Sequence, residues 1–101
     1  MKVVEINRET SKATVELFGK TRELKFITMK NGAGQELLML FGFAVRYSQG
    51  TKIWPATIDY FPESGKFAQP STPMDHRSRW AHVSLVGFYE DVPEQYRSRH
   101  R

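Results

Sequence analysis

The sequence predicts a mainly β chain: a small antiparallel barrel or rolled sheet of about six strands, OB-like or SH3-like, with an irregular basic C-terminal tail. Three observations carry this reading. Apolar and polar residues alternate with period two along most of the chain, turn signals rich in Gly, Asn and Pro separate the alternating runs, and 40% hydrophobic with 13% aromatic residues supply one packed interior. A chain of 101 residues has the size of one domain, read here as residues 1–93 followed by a tail over 94–101.

The first alternating run, Lys2 to Asn7, sets Val4 and Ile6 on one face. The polar stretch Arg8-Glu9-Thr10-Ser11 then has the length of a hairpin connection. From Lys12 to Phe18 the apolar face is Ala13, Val15 and Leu17, and Gly19-Lys20 is the expected turn into a third strand from Arg22 to Met29. These three strands form an antiparallel meander. Asn31-Gly32-Ala33-Gly34 is the strongest turn signal in the chain, because Asn and Gly both tolerate positive φ.

Glu36 to Tyr47 places Met39, Phe41, Phe43, Val45 and Tyr47 on one face and Leu38, Leu40, Gly42 and Ala44 on the other, the pattern of a strand buried on both sides. A helix over Glu36 to Phe41 is the competing reading. Gly42 has no side chain to pack, so a bend is expected there. After a turn at Ser48-Gln49-Gly50, Thr51 to Phe61 alternates with Trp54, Ala56, Ile58 and Tyr60 on one side, and Pro55 assigns that strand to an edge or a bulge. Pro62-Glu63-Ser64-Gly65 turns the chain into a long surface loop from about Phe67 to His76. The last strand, Arg79 to Tyr89, sets Ala81, Val83, Leu85 and Gly87 against Trp80, His82, Ser84, Val86 and Phe88, and Glu94 to Arg101 reads as a helical turn or a frayed tail.

Composition narrows function by exclusion. The chain has no cysteine, which removes disulfides, thiolate metal sites and cysteine nucleophiles. The N-terminal residues form no apolar signal region, and the longest apolar run, Leu37 to Val45, is far short of the roughly 20 residues of a spanning helix. A cytoplasmic protein with no membrane partner is therefore expected. The net charge of +4 includes Arg97, Arg99 and Arg101; without these three the remainder is +1, an ordinary mixed surface carrying a basic tail.

Chemical motifs are sparse. The glycines of Asn31 to Gly34 match neither a dinucleotide fingerprint nor a lysine-bearing phosphate loop. Asp75, His76 and His82 are too few for a zinc site, and Ser71 and Ser78 lack a nucleophile-elbow context. No cofactor and no enzymatic activity are expected. Phe41-Gly42-Phe43-Ala44-Val45-Arg46-Tyr47 approaches an RNA-binding aromatic strand but has Phe41 where a basic residue precedes the glycine, so its rings are assigned to the core.

Lys2-Val3-Val4-Glu5-Ile6, Ala13-Thr14-Val15-Glu16 with Gly19 and Arg22, and Leu38-Met39-Leu40-Phe41-Gly42-Phe43-Ala44-Val45 follow one another in a way that resembles the small barrel of the hydrogenase-maturation chaperone family, HypC/HupF. The resemblance covers the first half of the chain and implies a barrel that docks on larger protein partners. That family's metal-handling cysteine follows its start methionine; Lys2 stands there in this chain, so no metal site is implied.

The leading expectation is a non-catalytic module that docks on a larger protein as an adaptor, chaperone or inhibitor. Its contact residues are drawn from Trp54, Tyr60, Arg77, Arg79, Trp80, His82, Tyr96, Arg97, Arg99 and Arg101, since aromatic and arginine side chains dominate interface energetics. The alternative is a single-stranded nucleic-acid binder in which aromatic rings stack bases and the arginine tail holds phosphate. An enzyme built on Asp75, His76 and His82 comes third.

Overall fold

The computed structural model describes residues 1–47, 50–68, 70 and 83–98. The chain is mainly β, as expected, with strands β1 (Lys2–Asn7), β2 (Lys12–Leu17), β3 (Lys20–Lys30), β4 (Glu36–Tyr47), β5 (Ile53–Phe61), β6 (Lys66–Phe67) and β7 (Val83–Phe88). Two 3₁₀ turns, Tyr89–Asp91 and Glu94–Tyr96, follow. Hydrogen bonding orders the strands β1-β2-β3-β4-β5-β6, with β7 added on β4, and the registered strand pairs are antiparallel. Two compact units share the chain: Met1–Phe41 with Ile58–Gln69, and Gly42–Thr57 with Pro70–Arg101.

In the first unit, β1, β2 and β3 form the expected meander. β3 changes partner along its length, pairing with β2 through Lys20 to Lys25 and with β4 through Phe26 to Lys30. Ala13, Val15 and Leu17 are buried as the alternation requires, and Leu24, Phe26, Leu37, Leu38, Leu40 and Ile58 are buried in the same unit. The Arg8–Ser11 connection is held by Asn7, whose Oδ1 accepts from the amides of Glu9 and Thr10 at 3.0 and 3.2 Å. Arg8 forks onto Glu36 with bonds of 3.1 and 3.0 Å, and this carboxylate raises the guanidinium above its ordinary pKa through the hydrogen bond first and charge second.

β1 corrects the expected phase. Val3 opposes Val15 but Glu5 opposes Thr14, so an extra residue is inserted on β1. The bulge turns Val4 outward, 56% exposed, and leaves Val3 and Ile6 half-buried. Strict period two cannot survive an inserted residue.

β4 is a strand over its whole length, which removes the helical reading of Glu36 to Phe41. Gly42 has φ +114, a conformation that L side chains rarely adopt. In the second unit Phe43, Ala44, Val45, Ala56 and Phe88 are buried. Phe43 and Phe88 are paired across β4 and β7, with ring centroids 6.1 Å apart.

β7 corrects the phase again. Ala44 opposes Gly87 and Val45 opposes Leu85, so Val86 is the inserted residue and lies 39% exposed while Phe88 turns inward. The expected face that grouped Val86 with Phe88 is split by this bulge. The start of the expected strand, Arg79 to His82, and most of the expected Phe67 to His76 loop lie outside the described residues. Pro62 to Gly65 turns as expected but leads into the two-residue strand β6, which pairs Tyr60 with Phe67 and Phe61 with Lys66. β6 stops short of Pro55, whose missing amide hydrogen therefore interrupts no ladder with it.

Candidate docking surface

The expected contact residues are distributed unevenly. Trp54 is half-buried with its ring 6.3 Å from that of Tyr47, and Tyr60 is half-buried with its ring 4.9 Å from that of Phe67. Both rings contribute to packing. Tyr96, 50% exposed, is the expected aromatic that stands out from the surface. Arg77, Arg79, Trp80, His82, Arg99 and Arg101 lie outside the described residues, as do Asp75 and His76.

Arg97 is placed differently from a solvated tail cation. Its Nε donates to the carbonyl of Val92 at 2.8 Å, one terminal nitrogen donates to the carbonyl of Glu90 at 3.0 Å, and the other meets the Glu94 carboxylate at 3.4 Å. The guanidinium carbon lies 5.3 Å from the centre of the Tyr89 ring. Tyr89 in turn donates its hydroxyl to the carbonyl of Ser98 at 2.7 Å, and the Ser98 amide donates to Ile53 at 2.8 Å. Residues 89–98 are thus clasped around one arginine. That charge is occupied by its own chain.

The apolar surface lies elsewhere. β3 points Leu24 and Phe26 inward, so its odd positions face out, and there Ile27 is 48% and Met29 41% exposed. Across the ladder Ile27 opposes the half-buried Met39, which extends the strip onto β4, whereas Met29 opposes the buried Leu37. Sequence reading had a signal for this strip: two apolar residues on the opposite parity to Leu24 and Phe26. Methionine supplies a flexible, polarizable surface suited to an adaptable contact.

A second exposed group occupies the other end of β3. Leu17 pairs with Lys20, so the hairpin tip is Phe18-Gly19, one residue earlier than the expected Gly19-Lys20. Both tip residues have positive φ, +52 and +77, and the Phe18 side chain is 68% exposed. A shallow cavity of about 370 Å³, lined by Gln35, Phe61, Ser64, Lys66 and Phe67, lies between the β3–β4 and β5–β6 connections.

Among the described residues, no group of three or more His, Cys, Asp or Glu side chains is placed to hold a metal, and no helix is long and apolar enough to cross a membrane. Comparison with family models, curated proteins and solved structures finds no significant match. It bears neither way on the likeness to the hydrogenase-maturation chaperones.

Proposed function

We propose that this chain is a protein-docking module whose contact centres on Ile27, Met29 and Met39. The observation that supports the reading is the pairing of exposure and adjacency: two large apolar side chains, each more than 40% exposed, sit on one face of one strand beside Met39. Scattered single apolar residues are ordinary on a protein surface, whereas contiguous ones lower their free energy by being covered. Tyr96 is a further exposed aromatic available to such a contact.

A pull-down from native cells, with and without nuclease, tests the reading. The wild-type chain should retain a protein that nuclease does not release, and Ile27→Asp should lose it while melting as the wild type does. Retention by Ile27→Asp, or release by nuclease, would overturn the proposal and favour nucleic acid.

A further inference from the structure

The cavity between the β3–β4 and β5–β6 connections lies within the first unit, and its lining divides into an apolar wall and a set of hydrogen-bond donors. Phe61 and Phe67 form the wall. Both are half-buried, and Phe67 is held against Tyr60 with ring centroids 4.9 Å apart, so its ring is in place before any ligand arrives. The turn that carries Ser64 and leads to Lys66 is closed by the Gly65 amide, which donates to the Phe61 carbonyl at 2.8 Å. Gly65 has φ +72, so this closure costs no Cβ clash. Lys66 opposes Phe61 across the β5–β6 ladder, which sets its side chain on the same face as that ring.

The polar atoms of the lining can be assigned one by one. Asn31 Oδ1 accepts from the amides of Ala33 and Gln35, so the Asn31 side-chain nitrogen is the atom that meets the Gln35 side chain, at 3.2 Å. Gln35 must therefore present its oxygen to Asn31, and its Nε2 group keeps its hydrogens without an acceptor among the described residues. Ser64 Oγ accepts from the Lys66 amide at 3.3 Å, which leaves the Ser64 hydroxyl hydrogen to donate. The Lys66 ammonium has no ion pair or hydrogen bond among the described residues. Neighbouring carboxylates do not take these donors: Glu36 is forked onto Arg8, and Glu63 makes no ion pair with Lys66. The side-chain oxygens of the lining are occupied while its donors, one of them cationic, are unspent.

We infer that this cavity binds a small aromatic carboxylate, its ring against Phe61 and Phe67 and its oxygens accepting from Lys66 Nζ, Gln35 Nε2 and the Ser64 hydroxyl. The ligand class follows from both halves of the lining together. An ionised carboxylate only accepts, which matches a set of spare donors, whereas an amide, amine or alcohol brings hydrogens that these side-chain oxygens are not free to take. A flat ring is what tilted or offset contact with phenylalanine favours. The volume, about 370 Å³, stands at the lower end of small-ligand sites and suits a compact molecule. This site goes beyond the Ile27–Met29–Met39 strip and does not rest on it.

Titration of the full chain with benzoate, followed by amide NMR, tests the inference without any protein partner. Benzoate should bind with a Kd of about 1 mM, as its few heavy atoms allow, and shift the amides of Gln35 and residues 61–67. Benzamide, which keeps the ring and loses the charge, and acetate, which keeps the charge and loses the ring, should each bind about tenfold more weakly. Gln35→Glu keeps an oxygen for Asn31 and puts a carboxylate in place of the donor, so it should melt as the wild type does while benzoate affinity falls about tenfold. Lys66→Met, at an exposed position, should fold normally and lose affinity by a similar factor. Shifts that are absent or scattered over the surface up to about 10 mM benzoate would overturn the inference. So would benzamide or acetate binding as tightly as benzoate, or undiminished binding by Gln35→Glu and Lys66→Met.

Discussion

The two hairpin turns that bracket β3 solve the same geometric problem with opposite chemistry. At Asn31–Gln35 the side chain of Asn31 accepts from the amides of Ala33 and Gln35 at 3.0 and 2.9 Å and donates to the Gln35 side chain at 3.2 Å. The positive φ of this turn, +78, falls on Gly34, where no Cβ resists it. At Phe18-Gly19 the first positive φ falls on a phenylalanine whose ring remains in solvent. The first turn is locally self-consistent and serves folding. The second departs from its local optimum, and departures of that kind are where a sequence carries information about something other than folding.

The largest expected effect calibrates what a misplaced side chain costs when its surroundings cannot yield. Gly42, at φ +114 within β4, lies beside Phe43, Ala44 and Val45, all fully buried. Gly42→Val should cost about 3 kcal/mol or more, because a β-branched residue must leave that conformation and displace the strand with it. Denaturant unfolding measures this, and a wild-type midpoint would show that β4 does not depend on glycine's conformational freedom at this position.

Next in size is the Tyr89–Ser98 clasp, which resembles the Asn31 turn in satisfying its own backbone. Arg97→Ala should cost about 2 kcal/mol, since two carbonyls lose a charged donor. A smaller loss, about 1–2 kcal/mol, is expected for Asn31→Ala, which removes three bonds from a turn that water partly reaches. If Asn31→Ala proved neutral while Arg97→Ala did not, the self-consistency of the β3–β4 turn would be cosmetic, and the contrast with Phe18 would lose its reference.

Much of this architecture is legible in the sequence, and what is not depends on register and on contacts made far along the chain. The alternation of Ala13, Val15 and Leu17, the turn at Asn31 and the two-sided burial of β4 follow from local chemistry that the surroundings do not override. Val4 and Val86 leave the faces that strict alternation predicts because a bulge changes the phase of every residue beyond it, and the sequence carries no strong mark of either insertion. Trp54 and Tyr60 enter the candidate contact for what aromatic rings contribute to interfaces, and the structure adds that each is half-buried with a second ring beside it, which sequence alone does not show. Arg97 reads as part of a basic tail because a formal charge is visible in sequence, whereas the carbonyls of Val92 and Glu90 that fold back to meet it are not.

The smallest expected effect is also the only one of opposite sign. Replacing Phe18 with Asn keeps the turn, fits the left-handed conformation and removes an apolar ring from water, so Phe18→Asn should stabilise the fold by about 1 kcal/mol. The same size of gain would not follow from Phe18→Ala, which retains a Cβ in the crowded conformation without an Asn side chain able to bond locally. Thermal unfolding of the two variants beside the wild type separates the contributions of ring and backbone. A higher melting temperature for Phe18→Asn than for Phe18→Ala is expected and assigns the cost to the backbone. Equal gains in both would assign it to ring exposure alone, and a loss in Phe18→Asn would mean that the ring packs favourably in solution, which would leave the contrast between the two turns without a basis.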